Sequence, residues 1–377
     1  MNKTGFVIGD DSGHMRDLRN VLRRFLAEKS PEQAALRLAE GIPETRELWH
    51  QLAGGLGLTA IGVPADHGGA GGGPLEMALV MEELGRTLAA APYLSSAVIT
   101  TRTLLICGDE SAKAQYLPRM TAGEIVATTA FADDGPAARL SDTRSTAVSS
   151  PSGQWKINGI KRFVLDGKDA DLVIVAANTS DGLALFAIDK VCAEVRCSPR
   201  VLLDATRPVA DLRFDRAPAQ RLHGLPSVEE VVSDVESYCL AMLAAEQVGG
   251  ADRLLNMSVD YARARFQFGR PIGSFQAIKH KLVNLLVSVE KARALARYAA
   301  LKADDRQVAR LTSRTASAYC GPVFTRAALD AIQIHGGMGF TWEHPAHLYL
   351  RRAKSTELLF GSAEHHRRIL APLIGMD

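Results

Sequence analysis

The stretch YARARFQFGRPIGSFQ, residues 261–276, stands at the end of a long helical pattern. Apolar side chains recur at helical spacing over residues 228–266, and Gly269 and Pro271 then end the pattern. Arg265 lies close to this break, where a guanidinium can hold a pyrophosphate through paired, charge-assisted hydrogen bonds. Taken alone, the stretch is also typical of an ordinary helix-ending turn.

A second stretch, QIHGGMGFT at residues 333–341, follows another long helical pattern. Its adjacent glycines, Gly336 and Gly337, lack a Cβ and therefore permit a close approach between the backbone and a phosphate group. Taken alone, this stretch is equally typical of a flexible loop. Taken together, in this order and at this separation along the chain, the two stretches indicate more than an ordinary turn and a flexible loop.

The hydrophobic pattern divides the chain into three regions. Residues 1–122 and 227–377 show helical spacing, whereas residues 123–226 contain short β-branched runs separated by turn signals. We therefore expect an α+β protein with an N-terminal helical domain, a central antiparallel β-barrel or sandwich, and a C-terminal four-helix bundle. The dipeptide Asn158-Gly159, between two of the short runs, predicts a type I′ hairpin turn.

Composition excludes several classes of protein. The 377 residues include 44 Lys and Arg against 42 Asp and Glu, a balance that argues against a nucleic-acid partner. No apolar run approaches the roughly 18 residues of a membrane helix, and the first residues lack the features of a secretory signal. The five cysteines are scattered without a CxxC pair, and the histidines form no convincing ligand set. We expect a cytoplasmic protein with reduced thiols, no metal site and no membrane partner.

Both C-terminal stretches resemble signatures of the flavin-dependent acyl-CoA dehydrogenases. Residues 57–86, GLTAIGVPADHGGAGGGPLEMALVMEELGR, resemble the N-terminal domain of the same family, so the resemblance covers nearly the whole chain. It implies the same order of helices, β-barrel and helical bundle. It also implies FAD as the cofactor, α,β-desaturation of an acyl-CoA thioester as the activity, and an electron-transfer flavoprotein as the electron acceptor.

The resemblance implies which residues hold the cofactor. Arg265 would bind the FAD diphosphate across a subunit boundary, so the protein would be at least a dimer, within a homo- or hetero-tetramer. The other residues that would contact FAD are Phe163 and Phe268 as flat apolar surfaces, Gln276 and Gln333 as hydrogen-bonding groups, and Gly336 and Gly337 through their backbone.

The catalytic base is where the sequence departs from the family. Phe360 stands where many members carry the Glu that removes the α-proton, and Cys239 stands at a second position that other members use. Glu246, two turns later on the same helix, lies in an apolar run, where a carboxylate is costly unless it is paired or functional. We predict Glu246 as the base, with a buried structural Glu as the alternative and with Glu357 and Glu364 as further candidates.

The surroundings of Glu246 favour a role in binding. Small neighbours would leave room for a flat ring or a bulky acyl group: Ala244, Ala245, Gly249 and Gly250.

The loop expected to touch flavin and substrate departs from the family pattern as well. Residues 130–137 read AFADDGPA, and Leu165 lacks the hydroxyl expected near flavin N5. This resembles a bacterial branch without the usual C-terminal catalytic Glu, some members of which act as α2β2 tetramers on steroid or other bulky CoA thioesters.

Three functions fit the sequence. The first is FAD-dependent desaturation of an acyl-CoA thioester, with Glu246 as the base. The second is a non-catalytic partner subunit that completes the FAD sites of a paralogue through Arg265 and Gln333. The third is flavin monooxygenation, which would need a flavin that is accessible to oxygen and has no base beside it.

Overall fold

The computed structural model describes residues 13–39, 41, 45–190, 192–224 and 226–376. Residues 1–12, for which no secretory signal is predicted, lie outside the described residues. The N-terminal region is helical, as predicted, and its α-helices are α1 (Gly13–Lys29), α2 (Glu32–Ala39), α3 (Thr45–Leu56), α4 (Pro74–Thr87), α5 (Thr101–Cys107) and α6 (Glu110–Thr121). A π-helical segment, Tyr93–Thr100, runs directly into α5.

The central region is a β-barrel. Its strands are β1 (Ala127–Ala130), β2 (Thr146–Ser149), β3 (Trp155–Leu165), β4 (Leu172–Thr179), β5 (Gly182–Asp189), β6 (Val195–Arg200) and β7 (Val209–Arg221). Strands β4, β2, β3, β7 and β5 follow one another around the barrel, and pairing of β5 with β4 closes it. Most pairs are antiparallel, as predicted, but β1 and β2 both run parallel to β4.

The predicted hairpin at Asn158-Gly159 is wrong. Both residues lie inside β3, at a register shift between Ile157 and Gly159 against β7. Gly159 has φ +149°, and a Cβ there would lie 2.3 Å from the Ser145 hydroxyl oxygen. Gly159 therefore allows β3 to lie close to the segment that contains Ser145, and it does not form a turn.

The C-terminal region consists of long helices that pack side by side. They are α7 (Val228–Ala264), α8 (Gln276–Leu301), α9 (Arg306–His335), α10 (Ala346–Leu359) and α11 (Ala363–Leu373). The short hairpin of β8 (Phe266–Gln267) and β9 (Arg270–Pro271) joins α7 to α8. The bundle thus extends beyond the predicted four helices, because α10 and α11 also pack against α9. None of the helices among the described residues combines the length and the apolar character needed to cross a membrane.

The N-terminal helices join the bundle through a close crossing of α4 with α7. A Cβ at Gly249 would lie 1.8 Å from the carbonyl oxygen of Glu82, and a Cβ at Gly85 would lie 2.2 Å from that of Glu246. Real Cβ atoms do not approach oxygen so closely, so this crossing needs glycine on both helices.

We expect Gly249→Ala to destabilise the protein by about 1–3 kcal/mol, because the added methyl group forces α4 away from α7. The measurement is the free energy of unfolding from urea denaturation. Gly54→Ala is the control, since Gly54 lies inside α3 with no heavy atom near its Cβ position. A Gly249→Ala protein as stable as Gly54→Ala would show that the crossing tolerates a side chain.

Candidate active site

A cavity of about 370 Å³ lies between the β-barrel and the helical bundle, and we call it the junction cavity. Its walls come from both regions, so it exists only while the two are packed together. The β side contributes residues 129–132, 135–140 and 162–165, and the helical side contributes Ile99, Val232, Val235, Glu236, Arg314, Phe360, His365 and Ile369.

The loop after β1 is held over this cavity by a buried ion pair. Lys161 is fully buried, and its ammonium donates hydrogen bonds to Asp133 at 2.7 Å and to the carbonyl oxygens of Phe131 at 2.7 Å and Ala176 at 2.6 Å. Burial opposes the charge on Asp133, but Lys161 outweighs it, so the pKa of Asp133 stays below its ordinary value. The loop is therefore a fixed wall, although its sequence departs from the family pattern.

Phe163 presents its ring at the cavity wall in an unusual backbone conformation. Its φ is +52°, which a bulky residue rarely adopts. The Phe163 N–H donates to Asp211 at 3.2 Å, and the Arg200 guanidinium lies 4.8 Å from the centre of its ring. Strained residues of this kind cluster at binding sites, which agrees with the predicted role of Phe163 as a surface for a flat ring.

A chain of polar side chains reaches the cavity from the helical side. An Arg314 Nη2 pairs with Glu236 at 3.0 Å, and Nη1 lies 3.2 Å from His366 Nδ1. Burial, followed by the charge of Arg314, lowers the pKa of His366 to about 4, so His366 is neutral near pH 7 and its Nδ1 accepts from Arg314. The Arg314 Nε is buried and has no partner among the described residues.

Sequence reasoning missed Glu236, which lies one helical turn before Cys239. One signal in the sequence points to it. Val232 and Glu236 are four residues apart, so they lie on the same face of the helix, and both line the cavity. Cys239 itself is fully buried and does not line the cavity. Phe360, which replaces the usual Glu, does line it.

The surroundings of Glu246 do not suit the predicted role of catalytic base and favour the alternative, a buried structural Glu. Glu246 is 3% exposed and lies outside the lining of the junction cavity. One Arg207 Nη2 reaches both carboxylate oxygens at 2.5 and 2.6 Å, and Arg352 reaches one of them at 3.3 Å. Burial raises the pKa of Glu246, but the two arginines outweigh burial and hold the pKa below its usual value. A base needs the opposite shift, toward neutrality.

The other predicted features around Glu246 have structural roles too. A Cβ at Gly249 would collide with α4, as above, and one at Gly250 would lie 2.4 Å from the Phe324 ring, so these glycines serve helix packing. Glu364 is exposed and pairs with Arg368, whereas Glu357 bonds to Thr325 and Lys354. Neither Glu364 nor Glu357 lines the junction cavity.

Most of the predicted cofactor residues gather at the opposite end of α7. The Tyr261 and His335 rings stack at 4.4 Å and join the end of α7 to the end of α9. Arg265 follows α7, and Phe268 is 90% exposed in the hairpin beyond it. The remaining predicted residues at this end are also exposed: Gln276, Gln333, Gly336 and Gly337.

Phe163 and Arg265 therefore lie far apart within one chain. Phe163 shares the junction cavity with Glu236, and Glu236 precedes Arg265 by 29 residues, nearly all of them in α7. A rise of 1.5 Å per residue makes this separation roughly 43 Å along the helix axis. The structure does not bring the predicted cofactor residues together in a single subunit.

Models of the acyl-CoA dehydrogenase N-terminal and C-terminal domains match residues 12–124 and 241–374. The acyl-CoA dehydrogenase IpdE2 of Mycobacterium tuberculosis is 32% identical over 93% of this chain and 96% of that relative. The chain belongs to the acyl-CoA dehydrogenase family. It is an oxidoreductase that acts on acyl-CoA, and its cofactor is FAD.

Solved structures of this family share the whole architecture. The ChsE4-ChsE5 complex of Mycobacterium tuberculosis superposes with a TM-score of 0.85 at 27% identity, covering 98% of this chain and 99% of that one. A variant of the Tcur3481-Tcur3483 steroid ACAD superposes with a TM-score of 0.82 at 25% identity, covering 96% of this chain and 97% of that one. The predicted fold class, the family and the cofactor are thus confirmed.

We expect Glu246→Gln to destabilise the protein, because it leaves Arg207 and Arg352 buried without a full counter-charge. Breaking a buried pair costs about 3–5 kcal/mol. The measurement is the free energy of unfolding at pH 7 and at lower pH. The pKa of Glu246 in the folded protein lies below its usual 4.5, so the wild type loses the stabilisation from this ion pair as the pH falls. The difference in the free energy of unfolding between the wild type and Glu246→Gln should therefore become smaller at low pH.

The matched control is Glu364→Gln, which removes an exposed pair and should change stability by less than about 0.5 kcal/mol. A Glu246→Gln protein that is as stable as this control would contradict the structural role of Glu246.

Proposed function

We propose that the chain carries out α,β-desaturation of a bulky, branched or steroid-type acyl-CoA. The observation that carries the proposal is the junction cavity, which is large and has apolar side chains on both walls. Ile99, Val232, Val235, Phe360 and Ile369 supply the helical part of this apolar surface. Support comes from the similarity to a steroid ACAD and to the ChsE4-ChsE5 complex.

The residues present fit FAD at two places. A Cβ at Gly336 or Gly337 would meet no heavy atom within 4 Å, so open space surrounds this backbone. Arg265 follows the same end of α7 that Tyr261 joins to the end of α9, is exposed, and makes no ion pair within the described part of the chain, which leaves its guanidinium available for a diphosphate. At the other place, Phe163 offers a ring face at the cavity wall.

When bound, FAD supplies the acceptor for the β-hydrogen of the substrate. Residues of the chain position the substrate and the cofactor. Phe163 covers the flavin ring, and the fixed loop at residues 131–140 limits access to the cavity. Arg265 holds the diphosphate, and Gln276, Gln333, Gly336 and Gly337 bind the diphosphate and the adenosine half. An electron-transfer flavoprotein then takes the electrons.

These two places belong to different cofactor molecules, because roughly 43 Å of α7 separates them. The Arg265 of one subunit therefore serves the FAD whose ring lies in a neighbouring subunit. This arrangement requires at least a dimer, and a homo- or hetero-tetramer is the assembly we propose.

A second candidate function is that of a partner subunit without its own chemistry. The observation that favours it is Phe360, an apolar residue at the cavity position where the family resemblance places a catalytic Glu. In that case Arg265 and Gln333 complete the FAD site of a paralogous chain.

Removal of Arg265 tests the cofactor site. We expect Arg265→Ala to purify with little or no flavin, because the diphosphate loses a bidentate cation. Flavin per chain, measured by visible absorbance, and thermal stability are the readouts. Arg263→Ala is the control, since Arg263 is exposed in the last turn of α7. Equal flavin content in both variants would overturn the assignment of Arg265.

Purification of the chain by itself separates the two candidate functions. An active enzyme should carry about one FAD per chain, elute as a dimer or larger, and lose its flavin colour when a steroid-type or branched acyl-CoA is added without oxygen. Sites that stay empty until a paralogue is co-expressed would instead support the partner subunit. A monomer with bound FAD would contradict the shared site.

A further inference from the structure

We propose that Glu236 is the catalytic base of this chain and that Arg314 positions it. The inference rests on the proposed desaturation and supplies the proton acceptor that the sequence lacks at Phe360 and at Cys239. Among the described residues that line the junction cavity, Glu236 is the only carboxylate.

The location of Glu236 suits proton removal from a substrate. Its side chain is 26% exposed, so the carboxylate can be reached from the cavity, in contrast to the enclosed Glu246. Apolar residues of the same helix, Val232 and Val235, line the cavity beside it, and Phe360 adds an aromatic wall. A carboxylate flanked by apolar walls is the setting in which enzymes place a general base.

The contacts of Glu236 leave one oxygen free. Arg314 pairs with Oε2 at 3.0 Å, while Oε1 receives no hydrogen bond from the described residues. Oε1 is therefore available to accept a proton, and the ion pair at Oε2 holds the carboxylate beside Arg314. Arg314 is only 6% exposed, so it cannot swing away into solvent.

His366 sets the position of Arg314 in turn. Its Nδ1 lies 3.2 Å from Arg314 Nη1 and accepts from it, which leaves Nη2 for Glu236. The chain of Glu236, Arg314 and His366 contains one anion, one cation and one neutral ring. Glu246, by comparison, lies outside the cavity lining and has both carboxylate oxygens held by Arg207, whereas Glu236 lies at the cavity wall with one oxygen free.

The proposed step balances as follows. The Cα–H bond of the acyl group breaks, and its proton goes to Glu236. The electron pair left at Cα would form the Cα=Cβ bond, and the Cβ hydrogen would leave as hydride to FAD, which would supply the two-electron acceptor when held at the cavity wall beside Phe163. The products are an enoyl-CoA, a neutral Glu236 carboxyl group and reduced cofactor.

Glu236→Gln is the principal test, carried out on FAD-loaded protein, together with its paralogue if assembly requires one. The change preserves side-chain volume and removes basicity. We expect flavin content and the Kd for an acyl-CoA to stay near those of the wild type, whereas the unfolding temperature should fall, because the buried Arg314 loses the anionic partner that the described residues give it. The rate of anaerobic flavin reduction should fall by about 100- to 10,000-fold. The control Glu364→Gln, outside the cavity lining, should reduce its flavin at the wild-type rate.

A second variant keeps the test decisive if Glu236→Gln folds poorly. Glu236→Ala leaves space for a small carboxylate, and added formate should restore part of the reduction rate if Glu236 acts as a base. A structural role predicts no rescue.

Arg314→Gln should lower the reduction rate with little change in the Kd for the acyl-CoA, and Arg314→Lys should recover part of the rate.

Failure of this inference differs from failure of the proposed function. If the wild type reduces its flavin with an acyl-CoA and Glu236→Gln does so at the same rate, Glu236 is not the base and the proposed function stands. If the wild type is not reduced by any bulky, branched or straight-chain acyl-CoA, alone or with its paralogue, the proposed function itself is wrong.

Discussion

One buried ion cluster fixes the β-barrel on the helical bundle. Arg207 and Asp204 come from the segment between β6 and β7, Glu246 comes from α7, and Arg352 comes from α10. The cluster contains two cations and two anions, so its net charge is zero although every member is buried. Loss of one member would leave a charge without a partner in a medium of low dielectric constant. Because the junction cavity takes its walls from both regions, its shape depends on this cluster.

Helix α7 connects the features that matter for function. Glu236 lies near its beginning at the junction cavity, Glu246 lies in its middle at the ion cluster, and Arg265 follows its end, where the Tyr261 and His335 rings join α7 to α9. Because the helix is long, residues at its beginning and residues at its end cannot contact the same FAD molecule within one chain. Two subunits are needed to complete one FAD site in the proposed arrangement.

Much of the fold follows from the sequence because hydrophobic spacing records which face of each element is buried. The long helices agree with the periodicity to within a few residues, and the β region is a barrel. Asn158-Gly159 was misinterpreted because a glycine required by the nearby Ser145 gives the same local signal as a turn.

The active site was less predictable, for a physical reason. The role of Glu246 depends on Arg207 and Arg352, which are 39 and 106 residues away in sequence, so no local pattern reveals the pairing. Glu236 follows Glu229 and Glu230, which begin α7, and together they resemble a solvated helix face. Only the packing of α7 against the barrel distinguishes Glu236 from these neighbours.

The position of Glu236 relative to a bound acyl group tests the account most directly. A crystal structure of the FAD-loaded protein with a non-reactive acyl-CoA analogue would measure the distance between the Glu236 carboxylate and the Cα atom of the acyl group. The account predicts a separation of about 3–3.5 Å, as a reacting pair requires, with the flavin ring beside Phe163. An acyl group bound outside the junction cavity, or a different carboxylate at its Cα atom, would contradict it.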